Sequence, residues 1–249
     1  MVLTPTRAAP SRVDGLHHRA PLTIDAVIPA RDESPTVTAN VTAARGCRFV
    51  REVIVVDDGS SDATAELAAA AGAKVLCRDG STGSKALAMA EGVRATDADS
   101  ILFVDADCTG LTASHLDEIC GPFAEGRATM SVGAFDYGRF WNPMVLRWPP
   151  LSGERIVPRW VFEAVPAAKL DGYTIEVRLN EVIAEARLTT TVRTMAGVYH
   201  RTKREKLGRL EGVRRTWWMY RAIFSVMFPF GDIRWRTYWF YLRGLTVER

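Results

Sequence analysis

Four short apolar segments, most of them followed by polar residues, constrain the fold more than any other feature of this chain. They alternate with three helical stretches in the first half of the 249 residues. Short apolar runs without strict alternation are typical of strands that are covered on both faces of a sheet. The order therefore predicts an α/β fold with a mostly parallel sheet and right-handed crossovers. The predicted strands are 22–29, 52–57, 74–77 and 100–105, and the predicted helices are 36–45, 62–71 and 85–94, capped near Ser34, Ser61 and Ser84.

Polar residues follow three of the four predicted strands, at 31–33, 57–60 and 105–107. Ligands of open α/β sheets bind beyond the carboxyl ends of the strands, because the loops that connect strands to helices gather there. We therefore expect the functional site at this edge of the sheet.

The second half of the chain is less regular and allows only a coarse interpretation. A net charge of +3 does not favour a nucleic-acid partner. No apolar run reaches the roughly 18 residues that span a bilayer, and no secretory signal is evident. The predicted elements of the second half are a strand at 128–135, a Trp-, Pro- and Gly-rich connection at 140–155, a helix at 174–186, a strand at 189–200 and a basic helix at 203–215.

The four cysteines are Cys47, Cys77, Cys108 and Cys120, and they show no metal-type spacing. We expect them to be free thiols, buried as small hydrophobic side chains, in a cytoplasmic protein.

Asp105-Ala106-Asp107 directly follows the fourth apolar strand. Alternation in an extended chain would point both carboxylates the same way, with Ala106 opposite. Two carboxylates in a cleft repel each other unless a cation lies beside them, and Mg²⁺ or Mn²⁺ would bridge them to a diphosphate. The motif therefore predicts a metal site that serves a diphosphate leaving group.

Three more residues are candidates on their own chemistry. Asp57 lies before Gly59 in a sharp turn, where its carboxylate could accept a hydrogen bond from the imide of uracil. Lys85 follows a Gly- and Ser-rich loop and could meet a phosphate. His200 could complete the metal site, although a histidine beside basic residues is more often a surface group.

Together these motifs resemble those of glycosyltransferases with the GT-A fold, in particular the family 2-like group that includes the glucosyl-3-phosphoglycerate synthases. The similarity runs from about residue 22 to residue 207. Two departures are that Asp32 replaces the usual asparagine, and that 84–89 lacks both glycines of the group's G-K-G-x-A-L segment. The matching segments are 27–33 (I-P-A-x-N-E), 56–60 (V-D-D-G-S), 105–107 (D-x-D), 150–154 (P-L-G/S-G-E), 172–176 (G-Y-x-V/I-E) and the metal-binding histidine at His200.

The resemblance implies a Mg²⁺- or Mn²⁺-dependent glycosyltransferase. It would move a sugar from a nucleotide-sugar, usually a UDP-sugar, to a small-molecule acceptor such as a phosphorylated acid or a secondary-metabolite scaffold. The GT-A domain would occupy 22–203. From their own composition, 1–21 is expected to be a flexible tail and 204–249 a basic, aromatic helical extension. The implied donor contacts are Pro29, Ala30, Arg31, Glu33, Asp57, Ser60, Lys85, Asp105 and Ala106; the metal ligands are Asp107 and His200; the acceptor contacts are Ser152, Gly153, Arg155, Tyr173, Arg201 and Lys203; and the catalytic candidates are Glu154, Glu176 and Asp107.

Several alternatives stay open at the level of the sequence. The phosphoglycerate enzymes retain anomeric configuration whereas many family 2 members invert it, and an inverting enzyme needs a carboxylate base, for which Glu154 and Glu176 are candidates. A nucleotidyltransferase or a non-catalytic partner protein would also fit an acidic sheet edge. The aromatic segment 216–249 could be a packed lid, a homodimer interface or a peripheral membrane contact.

Overall fold

The computed structural model describes residues 22–78, 83–142, 151–170, 174–200, 239 and 241–248. Within these residues the strands are β1 (Ile24–Ala30), β2 (Val53–Asp57), β3 (Lys74–Cys77), β4 (Ser100–Phe103), β5 (Cys108–Thr109), β6 (Met130–Phe135), β7 (Arg155–Pro158), β8 (Thr190–Met195), β9 (Tyr199–His200) and β10 (Leu245–Glu248). The helices are α1 (Val37–Gly46), α2 (Thr64–Ala70), α3 (Lys85–Arg94), α4 (Ala113–Ala124), α5 (Arg159–Glu163) and α6 (Ile175–Glu185), with a 3-10 turn at Ala167–Lys169.

Eight of these strands form one sheet in the order β10-β8-β6-β7-β4-β1-β2-β3. All neighbours pair in parallel except β7, which runs antiparallel between β4 and β6. The short strands β5 and β9 form a separate antiparallel pair. Helices α1, α2 and α4 cover one face of the sheet, and α3, α5 and α6 cover the other. The expected α/β class with a mostly parallel sheet is confirmed.

The first half of the chain forms the elements that its pattern predicts, because buried strands and amphipathic helices are encoded by neighbouring residues. Ser84 caps α3 by accepting a hydrogen bond from the Leu87 amide at 3.4 Å. Ser34 and Ser61 do not cap the helices that follow them, since α1 and α2 each begin three residues later and have no side-chain cap.

The chain after β4 departs from the expectations in three places. The predicted strand 189–200 is two strands, β8 and β9, separated by a turn in which Gly197 has a φ of +73°. Strand β7 follows the predicted irregular connection, and it is too short for its periodicity to be recognised. Helix α4 was also missed, and it contains Pro122, a residue that ordinarily argues against a helix interior.

The end of the chain adds a strand to the domain. Leu245–Glu248 pairs in parallel with β8, and the Tyr241 side chain is buried among the residues of the α3, α5 and α6 face. The extension that was expected to be helical therefore ends in a strand. Residues 1–21 and nearly all of 201–240 lie outside the described residues, so the predicted tail, the basic helix, most of the aromatic segment and the domain boundary at 203 stay predictions.

Two simpler expectations concern membranes and thiols. Across the described ranges no helix combines the length and apolar character that crossing a bilayer requires. All four cysteines are free, as predicted, and Cys47, Cys108 and Cys120 are buried. Cys77 is exposed instead, because it ends the edge strand β3.

Candidate active site

The acidic turn at Asp105–Asp107 follows the end of β4 and is held by a buried asparagine of α1. Asn40 Nδ2 donates one hydrogen bond to the Ala106 carbonyl at 2.8 Å and another to the Cys108 carbonyl at 3.0 Å. Ala106 packs in the core beside α1, as expected from its position between the two aspartates. The turn is not an extended strand, however, because β4 ends at Phe103.

His200 lies between the two aspartates of this turn. Its Nδ1 is 3.0 Å from Asp107 Oδ1, and its Nε2 is 4.0 Å from Asp105 Oδ2. The pairing of β9 with β5 places His200 opposite Cys108, which explains how a residue so far along the chain reaches the turn. The Phe135 ring stacks on the imidazole with its centroid 3.7 Å away.

The charge of His200 follows from these neighbours. Burial alone would lower the pKa of the imidazole, but the hydrogen bond to Asp107 and the charges of Asp105 and Glu154 raise it to about 9. At neutral pH the imidazolium therefore supplies a positive charge between the carboxylates.

Lys85, at the start of α3, bridges two acidic groups on the other side of the turn. Its Nζ lies 2.5 Å from Asp105 Oδ1 and 2.7 Å from Glu176 Oε1. Burial opposes the ammonium charge, but Asp105 and Glu176 outweigh it and hold the pKa of Lys85 well above its usual value. Although burial raises the pKa of Glu176, the charges of Lys85 and Arg155 leave it lowered. Glu176 is therefore suited to orient the lysine and poorly suited to act as a general base.

Glu154 is fully buried beneath the acidic turn. Its Oε1 accepts hydrogen bonds from the Asp105 amide at 3.2 Å and from Cys108 Sγ at 2.8 Å, and its Oε2 accepts one from Ser152 Oγ at 2.6 Å. Burial and the nearby charge of Asp105 raise its pKa. This placement argues against the catalytic base inferred from the sequence, because the carboxylate is enclosed by protein donors and supports the turn.

The loop before β7 presses against the same turn. A Cβ on Gly153 would overlap both carboxylate oxygens of Asp105, so a larger residue there would displace that carboxylate. Arg155 is fully buried, and its guanidinium donates to the carbonyls of Ser152 and Glu176 and to the Asn180 side chain. Ser152 is buried as well. These positions argue against the acceptor contacts expected for Ser152 and Arg155.

The part of the site that was expected to bind the nucleobase lies at the ends of β1 and β2. Ser60 donates from its amide to Asp57 Oδ2 at 3.3 Å and from its hydroxyl to Asp57 Oδ1. Asp32, in the left-handed region with a φ of +54°, donates from its amide to Ser60 Oγ at 2.9 Å. Of the four contacts predicted here, Pro29 and Ala30 end β1, Glu33 is buried in the turn that follows, and only Arg31 is exposed; its neighbour Asp32 is exposed as well.

The donor set of the acidic turn fits a divalent cation. Two groups have their candidate ligand atoms within 4.8 Å of one another: Asp107, Cys108 and His200, and Asp105, Glu154 and His200. Carboxylate oxygens and an imidazole nitrogen are ligands that Mg²⁺ and Mn²⁺ accept. Asp107 and His200, expected as ligands, lie in one group, and Asp105, expected only as a donor contact, lies in the other.

Several residues of this region were missed by the sequence analysis. Asn40 is the most informative, because it is a polar residue on the apolar stripe of α1 and a buried polar side chain requires a partner. Cys108, Phe135 and Asn180 carried no comparable signal. Tyr173, Arg201 and Lys203, expected at the acceptor, lie outside the described residues.

A mostly parallel sheet whose carboxyl edge carries a D-x-D turn, a histidine and a lysine defines the class of GT-A nucleotide-sugar transferases. A family model for glycosyl transferase family 2 matches residues 25–164, which is more than half of the chain. The chain therefore belongs to glycosyl transferase family 2. This assignment disfavours the nucleotidyltransferase alternative.

Relatives and solved structures agree with the family. The chain is 33% identical over 112 residues to the glucosyl-3-phosphoglycerate synthase of Mycolicibacterium smegmatis, an alignment that covers 42% of this chain and 37% of that enzyme. The Mycobacterium tuberculosis enzyme with Mg²⁺ and UDP has a TM-score of 0.67 at 24% identity, covering 82% of this chain and 77% of that one. Its complex with Mn²⁺, UDP and glucosyl-3-phosphoglycerate has a TM-score of 0.64 at 23% identity, covering 82% and 79%. The structural similarity shows that the fold is shared.

Proposed function

We propose that this protein is a metal-dependent glycosyltransferase that moves a sugar from a UDP-sugar to a small phosphorylated acid. The observation that carries the proposal is the placement of His200 between Asp105 and Asp107, with Lys85 beside them, at the carboxyl edge of the sheet. These groups come from three separate parts of the chain, so their convergence does not follow from one local motif.

Asp105, Asp107 and His200 would hold Mg²⁺ or Mn²⁺. When bound, the metal supplies a positive charge that stabilises the departing diphosphate. Lys85 would contribute a second positive charge, and its contacts with Asp105 and Glu176 keep the ammonium ionised and directed at the turn.

The nucleoside would lie across the ends of β1 and β2. There Asp57 and Ser60 form a turn that contains the Asp57 carboxylate. Arg31 is exposed, and its guanidinium lies close to Gly83, two residues before α3. A carboxylate can read the imide of uracil, which favours UDP over nucleotides without that donor. The solved structures with UDP support this choice of nucleotide.

The choice of acceptor rests on the relatives. The complex with glucosyl-3-phosphoglycerate, and the named activity of the M. smegmatis enzyme, support a phosphorylated acid. A secondary-metabolite scaffold is the competing acceptor. A homodimer, a peripheral membrane contact and a cytoplasmic location stay predictions from the sequence. The segment on which the first two depend, 216–249, lies mostly outside the described residues.

A thermal-shift panel tests the proposal. Nucleotide-sugars are compared with and without Mn²⁺, and we expect UDP-sugars to raise the melting temperature only when Mn²⁺ is present, because a ligand of the native state stabilises it. Asp107→Asn should remove this Mn²⁺-dependent shift. Asp97→Asn is the control, since Asp97 is an exposed acid that precedes β4 and so lies away from the site. A UDP-sugar shift that is equal with and without Mn²⁺ would contradict the metal role.

A further inference from the structure

Arg155 is the largest fully buried side chain in the described part of the molecule, and the proposed function leaves it without a role. It begins β7 and pairs in register with Phe103 of β4 on one side and with Val132 of β6 on the other. The acidic turn starts two residues after Phe103. A buried guanidinium costs free energy unless protein groups satisfy it, so its partners show what it holds in place.

Arg155 hydrogen-bonds to oxygen atoms on two separate segments, and it also contacts Met130 Sδ of β6 at 3.8 Å. On one side, Nε donates to the Ser152 carbonyl at 2.9 Å, and Nη2 donates to the same oxygen. On the other side, Nη1 donates to the Glu176 carbonyl at 3.3 Å and to Asn180 Oδ1 at 3.0 Å. The guanidinium thus ties the loop before β7 to the first turn of α6.

These two segments meet again at Asp105. From the loop, Gly153 packs directly on the Asp105 carboxylate. From α6, the Glu176 side chain contacts Lys85 Nζ at 2.7 Å, and Lys85 contacts Asp105 at 2.5 Å. The contacts therefore form a closed circuit that runs from Arg155 through Glu176, Lys85 and Asp105 back to the loop.

We propose that Arg155 is a positioning residue that sets the place of Glu176 and, through it, the place of Lys85 beside Asp105. The planar fork of an arginine suits this role, because it holds donors at fixed angles toward both segments. The Arg155 charge also favours the ionised form of Glu176, which the lysine contact requires. This inference rests on the proposed function, in which Lys85 meets the diphosphate.

A double-mutant cycle tests the inference, with the affinity for UDP at saturating Mn²⁺ measured by calorimetry. If Arg155 acts through Glu176, Arg155→Met should weaken UDP binding about tenfold in the unmutated background and by less than about twofold in Glu176→Gln. A merely structural role predicts the same loss in both backgrounds, and that result would overturn the inference. No loss in the unmutated background would overturn it too.

Two further variants guard against misinterpretation. Arg155→Lys keeps the charge but not the fork, so it should fold even if Arg155→Met does not, and we expect about a threefold loss that disappears in Glu176→Gln. Arg159→Met is the matched control, since Arg159 lies at the other end of β7 and its guanidinium likewise donates to backbone carbonyls, those of Val93, Thr96 and Ala98. It should lower the melting temperature without changing UDP affinity.

UDP binding by the unmutated protein distinguishes a failure of the proposed function from a failure of the role proposed for Arg155. If it fails to bind UDP with Mn²⁺, the proposed function is contradicted and the role of Arg155 falls with it. If it binds but the losses in the cycle are equal, only the role of Arg155 is contradicted.

Discussion

Two acidic turns lie at the carboxyl edge of the sheet, one after β2 and one after β4, and they are stabilised by different kinds of contact. The turn at Asp57–Ser60 is held within itself and by the ends of the two adjacent strands. Ser60 donates to Asp57 three residues away, Asp32 adds one contact from the end of β1, and Asp58 pairs with Arg78 just after β3. The turn at Asp105–Asp107 depends on distant segments. Its contacts come from Asn40, Lys85, Gly153, Glu154 and His200.

The difference lies in the charge that each turn must accommodate. Asp105 and Asp107 are close to two further buried carboxylates, and their repulsion is offset by Lys85 and His200. Such compensation needs side chains from several elements, whereas hydrogen bonds within one turn satisfy Asp57. We therefore expect the second turn to be sensitive to substitutions far from it in sequence, and the first turn to be more tolerant.

The largest effect is expected from Gly153→Ala. The new Cβ would lie 2.3 Å from the Asp105 carboxylate oxygens, so the carboxylate must leave its place beside Lys85 and His200. We expect Mn²⁺ affinity, measured by calorimetry, to fall about a hundredfold, at the upper end for residues that support metal ligands. Gly121→Ala in α4 is the control, because a Cβ there meets only a flexible glutamate at 4.0 Å. An unchanged Mn²⁺ affinity in Gly153→Ala would show that Asp105 is not a ligand.

A change in pH tests the second turn without a mutation. The pKa of His200 is raised to about 9, so at pH 7 the metal must displace a proton from the imidazole. Below that pKa, each unit of lower pH should weaken Mn²⁺ binding about tenfold, and His200→Gln should remove this proton-linked part of the dependence. His115→Gln, which alters only the capping box of α4, should keep the full slope. A slope that survives His200→Gln would assign the proton to another group.

Asn40→Ala removes the support of the second turn from α1. The carbonyls of Ala106 and Cys108 would lose their side-chain donor, and we expect the free energy of unfolding to fall by about 2 kcal/mol. Mn²⁺ affinity should fall about tenfold, because a group that orients the ligands is lost. Thr42→Ala on the exposed face of α1 removes only a bond to Thr38 and should do neither. Chemical denaturation and calorimetry measure the two effects separately.

The smallest effect is expected in the first turn. Ser60→Ala removes the hydroxyl between Asp57 and the Asp32 amide, which should lower the free energy of unfolding by about 1 kcal/mol. UDP affinity should weaken a few-fold while Mn²⁺ affinity stays the same, since the metal lies at the other turn. A loss of Mn²⁺ binding in Ser60→Ala would mean that the two turns are coupled and that their contrast does not hold.

The sequence by itself determined the first four strands, the three helices between them and the sheet edge at which the acidic residues gather. It could do so because buried strands, helical stripes and turn residues are properties of neighbouring residues. The resemblance of its motifs to a known family also identified His200 as a candidate metal ligand. Neither source indicated that Glu154 and Arg155 are enclosed beneath the turn.

Only the tertiary structure decided those positions. Strand β7 enters antiparallel between β4 and β6, and this insertion brings 152–155 under Asp105 and next to α6. A glutamate or arginine in a loop carries no local sign of burial, because its burial depends on partners such as Asn180 and Cys108 that are supplied from elsewhere in the chain. Local pattern placed the charged groups at the edge, and packing decided which of them face the ligand and which hold the others in place.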